Sequence, residues 1–80
     1  MDDNQILKRI SELVDEEHQL TQQWQQGDLS EEGHRRMRQL EVNLDQCWDL
    51  LRQRRALRSA HLNPDEAKVR DADIVERYKQ

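Results

Sequence analysis

The sequence predicts an all-α chain: an antiparallel two-helix hairpin, coiled-coil-like in its packing, followed by a short helical or extended C-terminal tail. Three observations carry this reading. Apolar residues recur at alternating spacings of four and three along two long stretches. One short break, Gly27-Asp28-Leu29-Ser30, divides the stretches, and no Gly or Pro interrupts the chain between Gly33 and Pro64. The 80 residues are 38% charged and 34% hydrophobic with no Phe, so the apolar side chains are too few for a thick core and must serve one or two stripes.

The first helix is expected over about residues 4–26. Ile6, Ile10, Leu13, Leu20 and Trp24 make a heptad seam that only Glu17 breaks. Asp2, Asp3 and Asn4 suit the unpaired N–H groups of a helix start, and Gly27 suits a left-handed C-cap. After a short connection Ser30 is a plausible N-cap, with Glu31 and Glu32 in the first turn. The second helix is expected over about residues 31–60, with Met37, Leu40, Leu44, Cys47 and Leu51 as its seam. A connection of three or four residues makes two long helices antiparallel neighbours at the shallow crossing angle of coiled coils.

A turn centred near Asp28 and Leu29 sets partners whose numbers sum to about 57. Leu20 then faces Met37, Leu13 faces Leu44, Ile10 faces Cys47 and Ile6 faces Leu51, while Glu17 faces Leu40 and either reaches Arg36 or extends its stem to water. Trp24 faces Gly33, whose missing side chain is expected to give the indole room. Residues 1–62 thus form the hairpin and 63–80 the tail. In the tail, Asn63-Pro64-Asp65-Glu66 has the order of a helix start, and Asp71 or Asp73 caps a last turn with Ile74, Val75 and Tyr78 on its apolar side.

The net charge of −4 is unevenly spread. Residues 1–30 carry two bases against seven acids, residues 31–60 seven Arg against five acids, and residues 61–80 four bases against five acids. A chain acidic in its first third and basic in its second attracts itself when folded back at the boundary. Cys47 is the single cysteine and makes no intrachain disulfide; with no signal-peptide pattern, a reducing cytoplasm is expected. No run approaches the roughly 20 apolar residues of a membrane-spanning helix, so no membrane role is expected.

Three stretches carry a resemblance: Glu12-Leu13-Val14-Asp15-Glu16-Glu17-His18, the run from Leu44 to Ala56 with its Asp-Gln-Cys-Trp-Asp-Leu-Leu-Arg-Gln-Arg-Arg core, and Asn63-Pro64-Asp65-Glu66-Ala67-Lys68-Val69-Arg70. Together they resemble a small actinobacterial family catalogued only as domain of unknown function 2630. The resemblance covers nearly the whole chain. It implies one compact unit in a bacterial cytoplasm and supplies no activity.

Enzyme chemistry is not expected. Arg38, Asp45, Asp49, Leu50, Leu51 and Arg55 resemble part of the long helix of helical chorismate mutases. That fold needs a longer bundle and polar catalytic positions on other helices, for which this chain has no candidates, and no Ser/His/Asp or Cys/His grouping stands at productive spacing. His18, His34, His61 and Cys47 do not converge in the expected register, so neither a metal site nor a cofactor is expected.

Two groups remain. Arg52, Arg54, Arg55 and Arg58 form the densest charge cluster, suited to phosphate through the planar guanidinium fork. The favoured reading is that they pair with acids of the same chain, Asp2 and Asp3 against Arg54 and Arg55, because the whole is acidic and lacks aromatics for base stacking. An RNA- or ribosome-associated role is the alternative. Apolar residues off the seam point to protein partners instead. With Ile10, Glu17 and Trp24 at heptad position a, Leu7 and Val14 fall at e; with Met37, Leu44 and Leu51 at a, Trp48 falls at e and Leu50 and Leu57 at g. The e edges adjoin on one side of the hairpin and the g edges on the other. Leu7, Val14, Trp48, Leu50, Leu57 and Tyr78 are therefore the candidate interface, and a single short tail is expected to cover only one edge, leaving the other to a protein partner. A seam of about ten residues is thin for more than fifty ordered residues. A homodimer of two hairpins, forming a four-helix bundle, is the expected remedy, and a non-catalytic interaction module the expected function.

Overall fold

The structure, a computed structural model, describes residues 1–77. Helix α1 spans Asp3–Gln25 and α2 spans Glu31–Ser59; a 3₁₀ turn at Pro64–Glu66 and a short α3 at Ala72–Arg77 follow, with no strand among the described residues. Tyr78, part of the expected interface, lies outside them.

Local chemistry sets the helix ends. Asp2 accepts the Gln5 N–H at 2.8 Å while the Gln5 side chain accepts the Asp2 N–H at 2.9 Å, so two orphan donors are satisfied reciprocally. Gly27, at φ +77°, ends α1: its N–H donates to the Trp24 carbonyl and that of Asp28 to the Gln23 carbonyl. Ser30 Oγ accepts the Gly33 N–H at 3.1 Å and opens α2. The end of α2 repeats the α1 pattern without a glycine. His61 takes φ +61°, its N–H donating to Arg58 and that of Leu62 to Leu57.

The two long helices pack against each other in antiparallel order, since Asp3 near the start of α1 meets Arg54 near the end of α2 and Glu16 meets Arg36. Ile6, Ile10 and Leu13 from α1 are buried with Leu40, Leu44, Leu50 and Leu51 from α2. Leu20 and Cys47 are partly buried against them, so these seam residues lie on the face where the heptad spacing places them.

Three local expectations are corrected. Trp24 does not lie across Gly33. It stands edge-on to His34, with ring centroids 6.2 Å apart and planes at 79°, and is 58% exposed. What occupies the space beside Gly33 is Leu29: a Cβ there would fall 2.9 Å from Leu29 Cγ and closer still to its Cδ1. The turn's own leucine therefore gives Gly33 its packing reason. Arg36 pairs with Glu16, at 2.5 and 2.9 Å, and not with Glu17. Glu16 and Arg36 both occupy g positions, which adjoin in an antiparallel pair, whereas Glu17 sits at a. Finally, Asp2 is used in the cap, and Asp3 pairs with Arg54 and Arg58 but not with Arg55.

Candidate interaction surface

The two sides of the hairpin differ in what lies on them. On the g side the tail runs back along α2, held by contacts to its backbone. Gln46 Nε2 donates to the Arg70 carbonyl at 3.2 Å; Gln53 Nε2 donates to the Lys68 carbonyl at 2.8 Å, and its Oε1 accepts the Lys68 N–H at 3.4 Å. Asp49, only 2% exposed, accepts two hydrogen bonds from the Arg70 guanidinium, one of them at 2.9 Å, and a third from Gln53. Hydrogen bonding to Arg70 holds the Asp49 carboxyl below the usual range, against the opposing pull of its burial. Under this strap Leu50 is 5% exposed, Ala67 packs on the core and Val75 is buried. Leu50, expected as a partner contact, is thus covered by the chain itself.

A second fastening joins both chain ends. Arg54, 5% exposed, donates through Nε to Asp3 at 2.5 Å and through its terminal nitrogen to Asp65 at 3.0 Å and the Pro64 carbonyl at 3.2 Å. Arg58 donates to the other Asp3 oxygen at 3.0 Å. The Arg54 hydrogen bond draws the Asp3 carboxyl below its ordinary value, and Asp3 in turn raises Arg54. Two of the four clustered arginines are therefore engaged with acids of the same chain. Arg52 and Arg55 are exposed and form no ion pair among the described residues.

Among the described residues no part of the tail shows such contacts to Leu7, Val14 or Trp48 on the e side. Leu7 and Trp48 are each 46% exposed, and Val14 is partly buried against the core. Toward the turn the same side opens into a shallow cleft of 340 Å³ between Glu17, Trp24, His34, Met37 and Glu41. Leu57, at a g position, is half-buried.

Burial pushes the Cys47 thiol up, away from the thiolate that nucleophilic attack requires, although Arg9 acts in the opposite direction. Among the described residues no three His, Cys, Asp or Glu side chains are grouped to hold a metal ion. Nor is any described helix long and apolar enough to cross a membrane.

The pairing of Asp3 with Arg54 is the one the charge pattern led us to expect, whereas the Asp49–Arg70 clamp and the Asp65 arm of the Arg54 network were not picked out by sequence reasoning. Their trace is a polar stripe, Gln46, Asp49 and Gln53, at helical spacing beside Leu50 and Leu57. Taken alone, such a stripe reads as a solvated face.

Both the hairpin and the strap fall within one sequence family. The profile described as "Protein of unknown function (DUF2630)" matches residues 2–80. The chain belongs to this family. It is 52% identical over 77 residues to uncharacterized proteins of Mycobacterium bovis and Mycobacterium tuberculosis, the match covering 95% of this chain and 88% of each relative. No solved structure matches it. The profile spans the polar strap as well as the hairpin, so family membership describes the strapped unit.

Proposed function

We propose that this protein is a non-catalytic interaction module of the bacterial cytoplasm that pairs with a second copy of itself through the open e side, two hairpins forming a four-helix bundle, and presents the assembled surface to a further protein. One observation carries the reading: the tail occupies the g side and leaves Leu7 and Trp48 half-exposed on the other. A tryptophan joins a large apolar surface to one N–H donor, a combination enriched at interfaces. A non-catalytic role is supported by the acids, since the carboxylates with lowered pKa, Asp3, Glu16 and Asp49, each answer to a structural guanidinium partner.

The test uses the full chain carrying Trp24→Phe, which leaves Trp48 as its only tryptophan. Sedimentation is expected to report a dimer at high concentration that dissociates on dilution, with Trp48 emission shifting to the red as the dimer parts. A monomer at every concentration, with unchanged emission, overturns the self-pairing.

A nucleic-acid role has one observation in its favour, the exposure of Arg52 and Arg55 without ion pairs among the described residues. RNA binding that weakens steeply with salt and is lost when both are changed to Gln would establish it in place of the protein-binding reading.

A further inference from the structure

The e row of α2 has an internal symmetry. Its positions are His34, Glu41, Trp48 and Arg55, so an acid stands seven residues before the tryptophan and a base seven residues after it. Glu41, Trp48 and Arg55 are exposed, and Glu41 and Arg55 form no ion pair among the described residues. The helix runs unbroken from Glu31 to Ser59, so Glu41 and Arg55 are about 21 Å apart on one straight face, with Trp48 midway.

A row with opposite charges equidistant from an apolar centre is complementary to itself when reversed. A two-fold axis perpendicular to the helix brings α2 of a second copy alongside in antiparallel order, each residue meeting the one equally far on the other side of the axis. We infer that the homodimer is built on an axis passing beside Trp48, with α2 antiparallel to its mate, the two indoles meeting at the centre and Glu41 of each copy facing Arg55 of the other. In a parallel pairing of α2 the row sets Glu41 against Glu41 and Arg55 against Arg55, and like charges in apposition disfavour that arrangement relative to the antiparallel one. Leu7 lies near the same level, because the Asp3–Arg54 pairing sets it beside the second helix within about one turn of Trp48. The apolar contribution of α1 therefore falls close to the axis.

This inference rests on the homodimer reading, and charge reversal separates the two. Glu41→Arg and Arg55→Glu each change both symmetry-related contacts from attraction to repulsion, which is expected to weaken the dimer about tenfold at low ionic strength. Mixing the two variants restores opposite charges at both contacts, so a heterodimer forms with an affinity within about threefold of the parent's. The double variant, Glu41→Arg with Arg55→Glu, likewise regains a homodimer. Recovery on mixing also shows that neither single variant has merely failed to fold, and far-UV circular dichroism checks the same point directly. If the parent dimerises and both single variants dimerise equally well, the axis beside Trp48 is wrong while the homodimer stands. Should the single variants weaken without recovery in the mixture or the double variant, the proposed pairing of Glu41 with Arg55 falls. A parent that stays monomeric overturns both readings together.

Discussion

The g and e sides of the hairpin begin alike in sequence. Each has apolar residues one step off the seam, Leu50 and Leu57 on one side, Leu7, Val14 and Trp48 on the other, and heptad spacing does not rank them. In the folded chain they separate. The g side is covered by a strap whose attachment is mainly polar, made through Gln46, Asp49, Gln53 and Arg54, with Ala67 and Val75 adding modest apolar area. The e side keeps the larger apolar residue, and no strap lies over it among the described residues. A short tail with few apolar residues is better held by hydrogen bonds to its backbone than by burial. Trp48, over which no described segment is fastened, stays half-exposed.

Removing the apolar residue on each side should break the two differently. Leu50→Ala leaves a cavity between hairpin and strap and is expected to cost about 2–5 kcal/mol, the same at every protein concentration. Trp48→Ala should instead have an effect that grows with concentration, changing the stability of a dilute sample by less than about 1 kcal/mol. Chemical denaturation of both variants at two concentrations a hundredfold apart makes the comparison; equal behaviour of the two would erase the distinction between the sides.

The strap itself is open to a charge test. Asp49→Asn keeps the shape and removes the charge facing Arg70, and should cost about 1–3 kcal/mol, the range for weakening hydrogen bonds to a charged group. The loss is expected to fall on the tail. Trypsin should cut after Lys68 or Arg70 sooner than in the parent while helicity of α1 and α2 is kept, and a variant as resistant as the parent would show that Asp49 does not hold the strap.

Acid should act in the same direction. The carboxyls of Asp3, Glu16 and Asp49 are drawn below their ordinary values by hydrogen bonds from Arg54, Arg36 and Arg70. A group with a depressed folded pKa binds fewer protons folded than unfolded, so its stabilisation is complete above the ordinary value, about 4, and is lost as pH falls through the folded value. The thermal midpoint should therefore hold steady above about pH 5 and drop below about pH 4. Because Asp49→Asn removes one of the three linked groups, its midpoint should drop less over that range; a drop as steep as the parent's would place the acid sensitivity on the α1–α2 pairs alone.

The smallest effect concerns the junction from which the strap departs. His61 holds a left-handed conformation that favours glycine, so His61→Gly is expected to stabilise by up to about 1 kcal/mol, read as a higher midpoint in denaturant. No gain there would mean that the imidazole makes contributions that offset its backbone strain.

Much of this architecture follows from the sequence by local rules. The alternating four and three spacing requires two helices with one apolar seam each, and Asp2, Gly27 and Ser30 mark ends that the structure places within a residue or two. The short connection requires antiparallel packing, and the heptad positions name the e and g edges before any coordinates exist. These features were legible because each depends on residues within about seven of one another, a range that helical geometry converts directly into direction. The choice of covered edge depends on something else. It is made by hydrogen bonds between α2 side chains and backbone carbonyls at Pro64, Lys68 and Arg70, and a backbone carbonyl has the same chemistry in every residue. Spacing cannot rank such contacts, because their partners are set by the path of a tail whose own helix, six residues long, is too short to impose one. Likewise the seam pattern drew attention to Glu17 as the acid within reach of Arg36, whereas the side-by-side placement of two g positions gives that role to Glu16. The helices are local facts of the chain, whereas the strapped and open sides exist only once distant segments have met.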